Sequence, residues 1–280
     1  MARYALGVEY DGTRYCGWQR QKHSDSVQAQ LEAALSRVED CDTDVFCAGR
    51  TDTGVHASGQ VVHLDSKREP RALVLGVNSH LPADVSVAWA MSVPANFHAR
   101  FDAIERRYRY LIRADIAPSA LFANRAWTVH ASLDVPGMRA AARSLLGEHD
   151  FSAFRAAGCQ ARHPVREVRK IDVRQSARWI VVDIAANAFL QHMVRNIVGL
   201  LVEIGSGKRA VQDAATILAG HDRRRSAAAA PACGLYLTQV IYPVHFALPT
   251  ASDIDADLLP VLPLVPSAMN RESGRATIGS

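Results

Sequence analysis

The sequence predicts an α+β fold of two similar halves, each a split-βαβ unit of the ferredoxin-like kind, with a mainly antiparallel sheet. Three observations point there. Short stretches with period-two alternation, such as RYALGVEY at 3–10, read as strands. Between them lie stretches whose apolar residues recur at helical spacing. The order strand, helix, strand, strand, helix, strand over residues 3–91 is then loosely repeated from 106 to 242.

Each element has its own grounds. Tyr4, Leu6, Val8 and Tyr10 share one face of the first strand, and Asp11-Gly12 turns it. Val27, Leu31, Ala34, Leu35 and Val38 make a helix over 26–39, capped by Asp25 or Ser26. Residues 43–47 and 60–64 read as strands on either side of a glycine-framed stretch. Pro70 starts a helix to about Ser79, and 85–91 is a strand. In the second half, 106–113 is a strand with Tyr108, Tyr110 and Ile112 on one face. A helix over 136–146 stops at Gly147, and 165–174 and 179–185 pair as strands. A helix over 189–204, a shorter one over 210–219 and a strand over 234–242 complete the unit. The expected division is 1–102, 103–247 and a tail over 248–280, where prolines and alternating Asp residues replace any periodic pattern and flexibility is expected.

Composition limits the function. With 280 residues, 49% hydrophobic and 21% charged, the chain has the make-up of a soluble globular protein, and no apolar run reaches the roughly 18 residues of a membrane span. The N-terminus reads as a strand and not as a signal peptide, so a cytoplasmic protein is expected. Five cysteines, none in a C-x-x-C pair, argue against a disulfide framework or a zinc site. Net charge is +4, and the positive residues cluster. Arg100, Arg106, Arg107, Arg109 and Arg113 form one group; Arg155, Arg162, Arg166, Arg169, Lys170, Arg174 and Arg178 form another. One such cluster reads equally as a solvated basic face, whereas two with interleaved aromatics point toward a phosphate-rich partner, nucleic acid.

The stretch CAGRTDTGVHASGQ, residues 47–60, holds the candidate chemistry. Gly49, Gly54 and Gly59 allow sharp turns and close approach of a ligand. Asp52, two residues from Arg50, is either half of a structural ion pair or an oriented carboxylate fit to act as nucleophile or base. A metal site using Asp52, His56 and His63 is disfavoured, because the glycines oppose a helix that would align 52 with 56. On the helix over 189–204, His192, Arg195, Asn196, Gly199 and Glu203 form a polar stripe. A glycine there costs about 1 kcal/mol against alanine, so the stripe is expected to face packed structure or the cleft, with Arg195 toward Asp52 and His192 in a structural hydrogen bond.

Seven segments in order, among them VFCAGRTDTGVHASGQVVHLD (45–65), FHARFDAIERRYRY (97–110), NAFLQHMVRNIVGLL (187–201) and APACGLYL (230–237), resemble the tRNA pseudouridine synthase A family. The likeness spans about residues 3–247. The remaining three segments are YDGTRYCGWQRQ (10–21), GVNSHLP (76–82) and LLGEHDFSAFR (145–155). The resemblance implies the pseudouridine synthase fold with a central cleft. It implies an isomerase that converts uridine to pseudouridine at nucleotides 38, 39 and 40 of the tRNA anticodon stem-loop, without metal or organic cofactor. It also implies a homodimer, each tRNA bridging both subunits. Asp52 takes the place of the family's catalytic aspartate, Arg50 of its arginine partner, Tyr108 of the tyrosine against the target base, and Arg195 of a second arginine. Phe97, His98, Ala99, Arg100 and Phe101, and Gly158, Cys159, Gln160, Ala161 and Arg162, match segments where the family touches tRNA.

Two residues depart from the pattern. Thr53 stands where the family usually has Ala, and Gln191 precedes His192 where His or a small residue is often seen. The competing functions are a tRNA-binding protein of the same fold without catalysis and an Asp/His metal-dependent hydrolase. The intact Asp52, Arg50 and Tyr108 count against the first, and the shortage of ligands against the second.

Overall fold

The computed structural model describes residues 1–249, so the tail expected over 248–280 lies, from residue 250 onward, outside the described residues. The first half runs β1 (Ala2–Tyr10), α1 (Val27–Glu39), β2 (Phe46–Cys47), β3 (His56–Ser66), α2 (Pro70–Asn78) and β4 (Val85–Val93). The second runs β5 (Glu105–Ala114), β6 (Trp127–Val129), α3 (Val135–Arg143), β7 (Gly147–Asp150), β8 (Val165–Ser176), β9 (Trp179–Ala186), α4 (Met193–Gly205), α5 (Asp213–Gly220) and β10 (Leu235–Ile241).

The strands form one sheet in the order β4-β1-β3-β10-β5-β9-β8-β7, with β2 beside β3 and β6 beside β5. Within it the two halves repeat one plan. In the first, the closing strand β4 and the inner strand β3 flank β1; in the second, β10 and β9 flank β5 in the same way. Both sets of neighbours are antiparallel. The halves meet where β3 and β10 run parallel, through only two residue pairs, Tyr236 with His56 and Leu237 with Ala57. Gly59 permits that approach: a Cβ there would stand 2.0 Å from the Thr238 carbonyl oxygen. There are two apolar cores, one mainly of each half, with Leu237, Val240 and Tyr242 crossing into the first and Val55 into the second, and Tyr108 packs against both.

Local chemistry sets the ends of the helices. The Ser26 hydroxyl accepts from the Ala29 amide at 3.3 Å, so Ser26 and not Asp25 is the N-cap of α1. Asp134 caps α3 by accepting from the Gly137 amide. Gly147, with φ +95, turns the chain into β7.

Several expected boundaries move. The strand expected over 43–47 is only two residues long, while β3 begins four residues earlier than expected. The short strands β6 and β7 carry too few residues for a periodic pattern to appear. The helix expected over 189–204 starts at Met193. Phe189 instead leaves the helical path to meet Tyr108, and Leu190 is buried in the core, so apolar residues continue although the helix does not.

Candidate active site

Asp52 lies on the loop between β2 and β3, and that loop is tied down from several sides. The Tyr10 hydroxyl bonds Thr51 Oγ1 at 2.8 Å inside the protein. The Trp18 amide donates to the Thr51 carbonyl, and the Val55 amide to that of Asp52. Gln60 Nε2 donates to the Gly49 carbonyl at 2.7 Å. Gly17, with φ +90, runs so close beneath that a Cβ would sit 2.6 Å from the Thr51 oxygen. The backbone is therefore fixed while the Asp52 side chain stays about a quarter exposed.

The carboxylate is met from α4. His192 Nε2 is 3.4 Å and an Arg195 guanidinium nitrogen 3.6 Å from the same oxygen, Asp52 Oδ2. Arg195 is itself aimed by Nε donating to the Ala230 carbonyl at 2.8 Å, while the Ala230 amide returns a bond to the Arg195 carbonyl. Gly199 makes this seam possible: a Cβ there would lie 2.0 Å from the Ala228 oxygen. The polar stripe of α4 thus faces packed structure at Gly199 and at Asn196, which is buried and donates to the Phe154 carbonyl, and faces Asp52 at Arg195.

Tyr108, on β5, is the aromatic member. Its ring meets Phe189 edge-on with centroids 5.1 Å apart. Burial, reinforced by the nearby negative charge of Asp52, raises its hydroxyl well above the usual tyrosine range, so it stays protonated. Tyr110, two residues on, is wholly buried and donates to the Pro231 carbonyl at 2.7 Å.

Three expectations need correction. Arg50 does not pair with Asp52; it is exposed and forms no ion pair among the described residues. A two-residue separation in an irregular loop does not aim two side chains at each other, and the partners come instead from α4, more than a hundred residues away. His192 is not on the helix and holds no structural bond of its own in the core. It is the N-cap residue, in left-handed backbone at φ 62, and its ring turns toward Asp52. Sequence reading missed it because helical spacing had assigned it to the stripe. Within 97–101, Phe97 and Ala99 are buried in the core and cannot touch RNA from there; Arg100 and Phe101 are exposed and His98 partly so.

The second expected RNA segment is a surface loop. The Arg155 guanidinium donates to the carbonyls of Cys159 and Ala161, which leaves Gly158, Gln160 and Arg162 outward. The Ala156 amide bonds the Gln191 carbonyl, so this loop is anchored next to His192.

Arg106 is the central clamp. Its guanidinium donates to four backbone carbonyls, of Ala48, Arg100, Ala103 and Asn187. It thereby ties the Asp52 loop, the 100–103 segment and the turn before α4 together. Most other arginines of the two clusters are already paired: Arg109 and Arg174 with Asp183, Arg107 and Arg169 with Glu105, Arg113 and Arg178 with Asp115. Arg50, Arg100 and Arg162 form no ion pair among the described residues and are exposed.

His56, once a metal candidate, serves the fold. Its Nδ1 accepts from the Gly12 amide at 3.0 Å and its Nε2 faces the carbonyls of Asn124 and Cys233, an arrangement for the neutral ring. Burial lowers its affinity for a proton accordingly. Among the described residues, no group of three His, Cys, Asp or Glu side chains is placed to hold a metal, and no helix is long and apolar enough to cross a membrane. A hollow of about 420 Å³ lies elsewhere, between Asp11, Arg14, Asp84 and the 120–125 segment.

A family model described as tRNA pseudouridine synthase matches residues 7–102 and 141–243. The tRNA pseudouridine synthase A of Yersinia pseudotuberculosis serotype O:1b (strain IP 31758) is 54% identical over 249 residues, covering 88% of this chain and 94% of that one. Its namesake from Hydrogenovibrio crunogenus (strain DSM 25203 / XCL-2) is 51% identical over 251 residues, covering 89% and 96%. That from Shewanella amazonensis (strain ATCC BAA-1098 / SB2B) is 52% identical over 252 residues, covering 89% and 97%.

Proposed function

This chain belongs to the tRNA pseudouridine synthase family and is an isomerase acting on uridine in tRNA; on that premise we propose that Asp52 is its reacting carboxylate and that its targets are nucleotides 38, 39 and 40 of the anticodon stem-loop. The observation that carries the proposal is the meeting of two distant segments at one carboxylate: a loop tied down from several sides presents Asp52 and α4 brings Arg195 to its Oδ2, while Tyr108 on β5 is buried within the influence of that charge.

The reaction exchanges an N1–C1′ bond for a C5–C1′ bond. The uracil must be freed, turned and rejoined; C5 loses a proton and N1 gains one, so no atom enters or leaves. Whether the carboxylate attacks C1′ or takes the C2′ proton, it must lie against the ribose, oriented and ionised. Arg195 supplies a positive partner that is itself fixed by Ala230. Tyr108 offers a ring on which an extruded base can rest. The uridine leaves its stack at a cost of a few kcal/mol, offset by phosphate contacts to Arg50, Arg100 and Arg162.

The same proposal takes residues 1–102 and 103–247 as the working halves, the first supplying Asp52 and the second Tyr108 and Arg195. It takes a homodimer in the cytoplasm as the active species, for which light scattering should give twice the 30.5 kDa of one chain. Replacing Asp52 tests the chemistry. Asp52→Ala should leave no pseudouridine at the three positions while tRNA affinity stays within about tenfold, or 1.4 kcal/mol. Pseudouridine still formed by that variant would show that another group acts.

A further inference from the structure

We propose that His192 is a positioning residue for the reaction, holding Oδ2 of Asp52 so that Oδ1 faces the substrate. Two observations carry this. His192 Nε2 and Arg195 both approach Oδ2, at 3.4 and 3.6 Å, and no protein group among the described residues bonds Oδ1. At these ion-pair distances, two groups facing one oxygen favour one setting of the carboxylate about its Cβ–Cγ bond and leave the other oxygen to act.

The second observation is the backbone that delivers the ring. His192 has φ 62 and ψ 2, a left-handed conformation that residues with a Cβ seldom adopt. It is locked there from both sides: the Asn196 amide bonds the His192 carbonyl at 2.9 Å, the Met193 amide bonds that of Leu190, and the Ala156 amide bonds that of Gln191. A right-handed residue at this place would extend α4 by one position and send the side chain elsewhere around its axis. The unusual turn is what brings an imidazole to Asp52, and strained backbone held by its surroundings collects at working sites. The ring makes no hydrogen bond to the protein among the described residues, and its one charged neighbour at ion-pair distance is Asp52. Both the neutral ring protonated at Nε2 and the cation donate from that nitrogen.

The inference rests on Asp52 being the reacting group, and the two can fail separately. Single-turnover rates of pseudouridine formation at saturating enzyme, tRNA binding and melting midpoints are measured for His192→Ala and His192→Gln. His192→Ala should slow the single-turnover step at least tenfold with tRNA affinity within threefold. His192→Gln, whose amide reaches the same place, should recover most of that loss at a similar midpoint. A folded His192→Ala within twofold of the parent rate overturns the inference, as does a loss confined to tRNA binding, or a Gln variant as slow as Ala. Should the Ala variant not fold, the Gln variant decides: a near-parental rate upholds the donor role and a tenfold loss removes it. An active Asp52→Ala would instead sink the reading beneath it.

Discussion

The ring of Phe189 stands edge-on to that of Tyr108, with 5.1 Å between centroids, and this contact joins the segment before α4 to the middle of the sheet. Tyr108 and Tyr110 share a strand and a face but have different work. Tyr108→Ala removes the surface proposed for the base and should cost at least a hundredfold in single-turnover rate. Tyr110→Phe orphans the Pro231 carbonyl, which is worth about 1–3 kcal/mol in stability, and should leave the rate nearly intact. Time courses of pseudouridine formation beside urea midpoints separate the two.

Gly199→Ala should be destabilising despite the roughly 1 kcal/mol that alanine contributes to a helix interior. The added methyl would meet the Ala228 carbonyl, a backbone atom that can move only with its segment. Such overpacking costs about 1–3 kcal/mol. Because Ala230 holds Arg195, the rate should fall with the midpoint while tRNA affinity is kept. A variant that melts earlier but reacts at full rate would detach Arg195 from its anchor.

The salt dependence of tRNA binding should respond to Arg162 and not to Arg109. Arg162 is exposed and unpaired among the described residues, whereas Arg109 is bonded to Asp183 at 2.7 Å. Each phosphate neutralised adds about 0.7–0.9 to the slope of log K against log salt. Arg162→Gln should therefore flatten the slope by nearly one, and Arg109→Gln should leave it in place; binding measured from low to moderate salt reads both.

Stability should decline as pH falls from about 6.5 toward 4 through His63. Burial first, then the neighbouring His98 and Arg3, hold its ring down to about 4, and its Nδ1 accepts from the Ala99 amide only when unprotonated. An unfolded histidine titrates near 6.5, so between the two values the unfolded chain binds the extra proton and gains. The contribution is complete above about 6.5 and amounts to on the order of 2–3 kcal/mol lost by pH 4. His63→Gln keeps an acceptor without the titration and should flatten urea midpoints across that window.

Those four cases also mark what the residues reveal before folding. The strands of RYALGVEY and ERRYRY and the Ser26-capped helix are legible because period and cap chemistry are local. The glycine of α4 announced its close contact because exposure could not justify it. The partners of Asp52 were half legible: Arg195 was expected from α4, but the nearer Arg50 was also expected and turns away. His192 was hidden because a single left-handed residue leaves no mark in a hydrophobic pattern that runs on through Phe189 and Leu190. Likewise, nothing in FHARF says which of its residues are inward until β3 and Tyr242 close over Phe97.

The repeated strand plan has a numerical consequence. In each half the repeated plan has a connection that leads into the inner strand, β3 in the first and β9 in the second. In the first half that connection holds Asp52. In the second, β8 and β9 are joined by Ala177 and Arg178 alone, with Ala177 in left-handed backbone at φ 50, and no loop is left to bear a carboxylate. The internal symmetry of the architecture is therefore broken where it matters for turnover, and titration of active centres should count one for every chain.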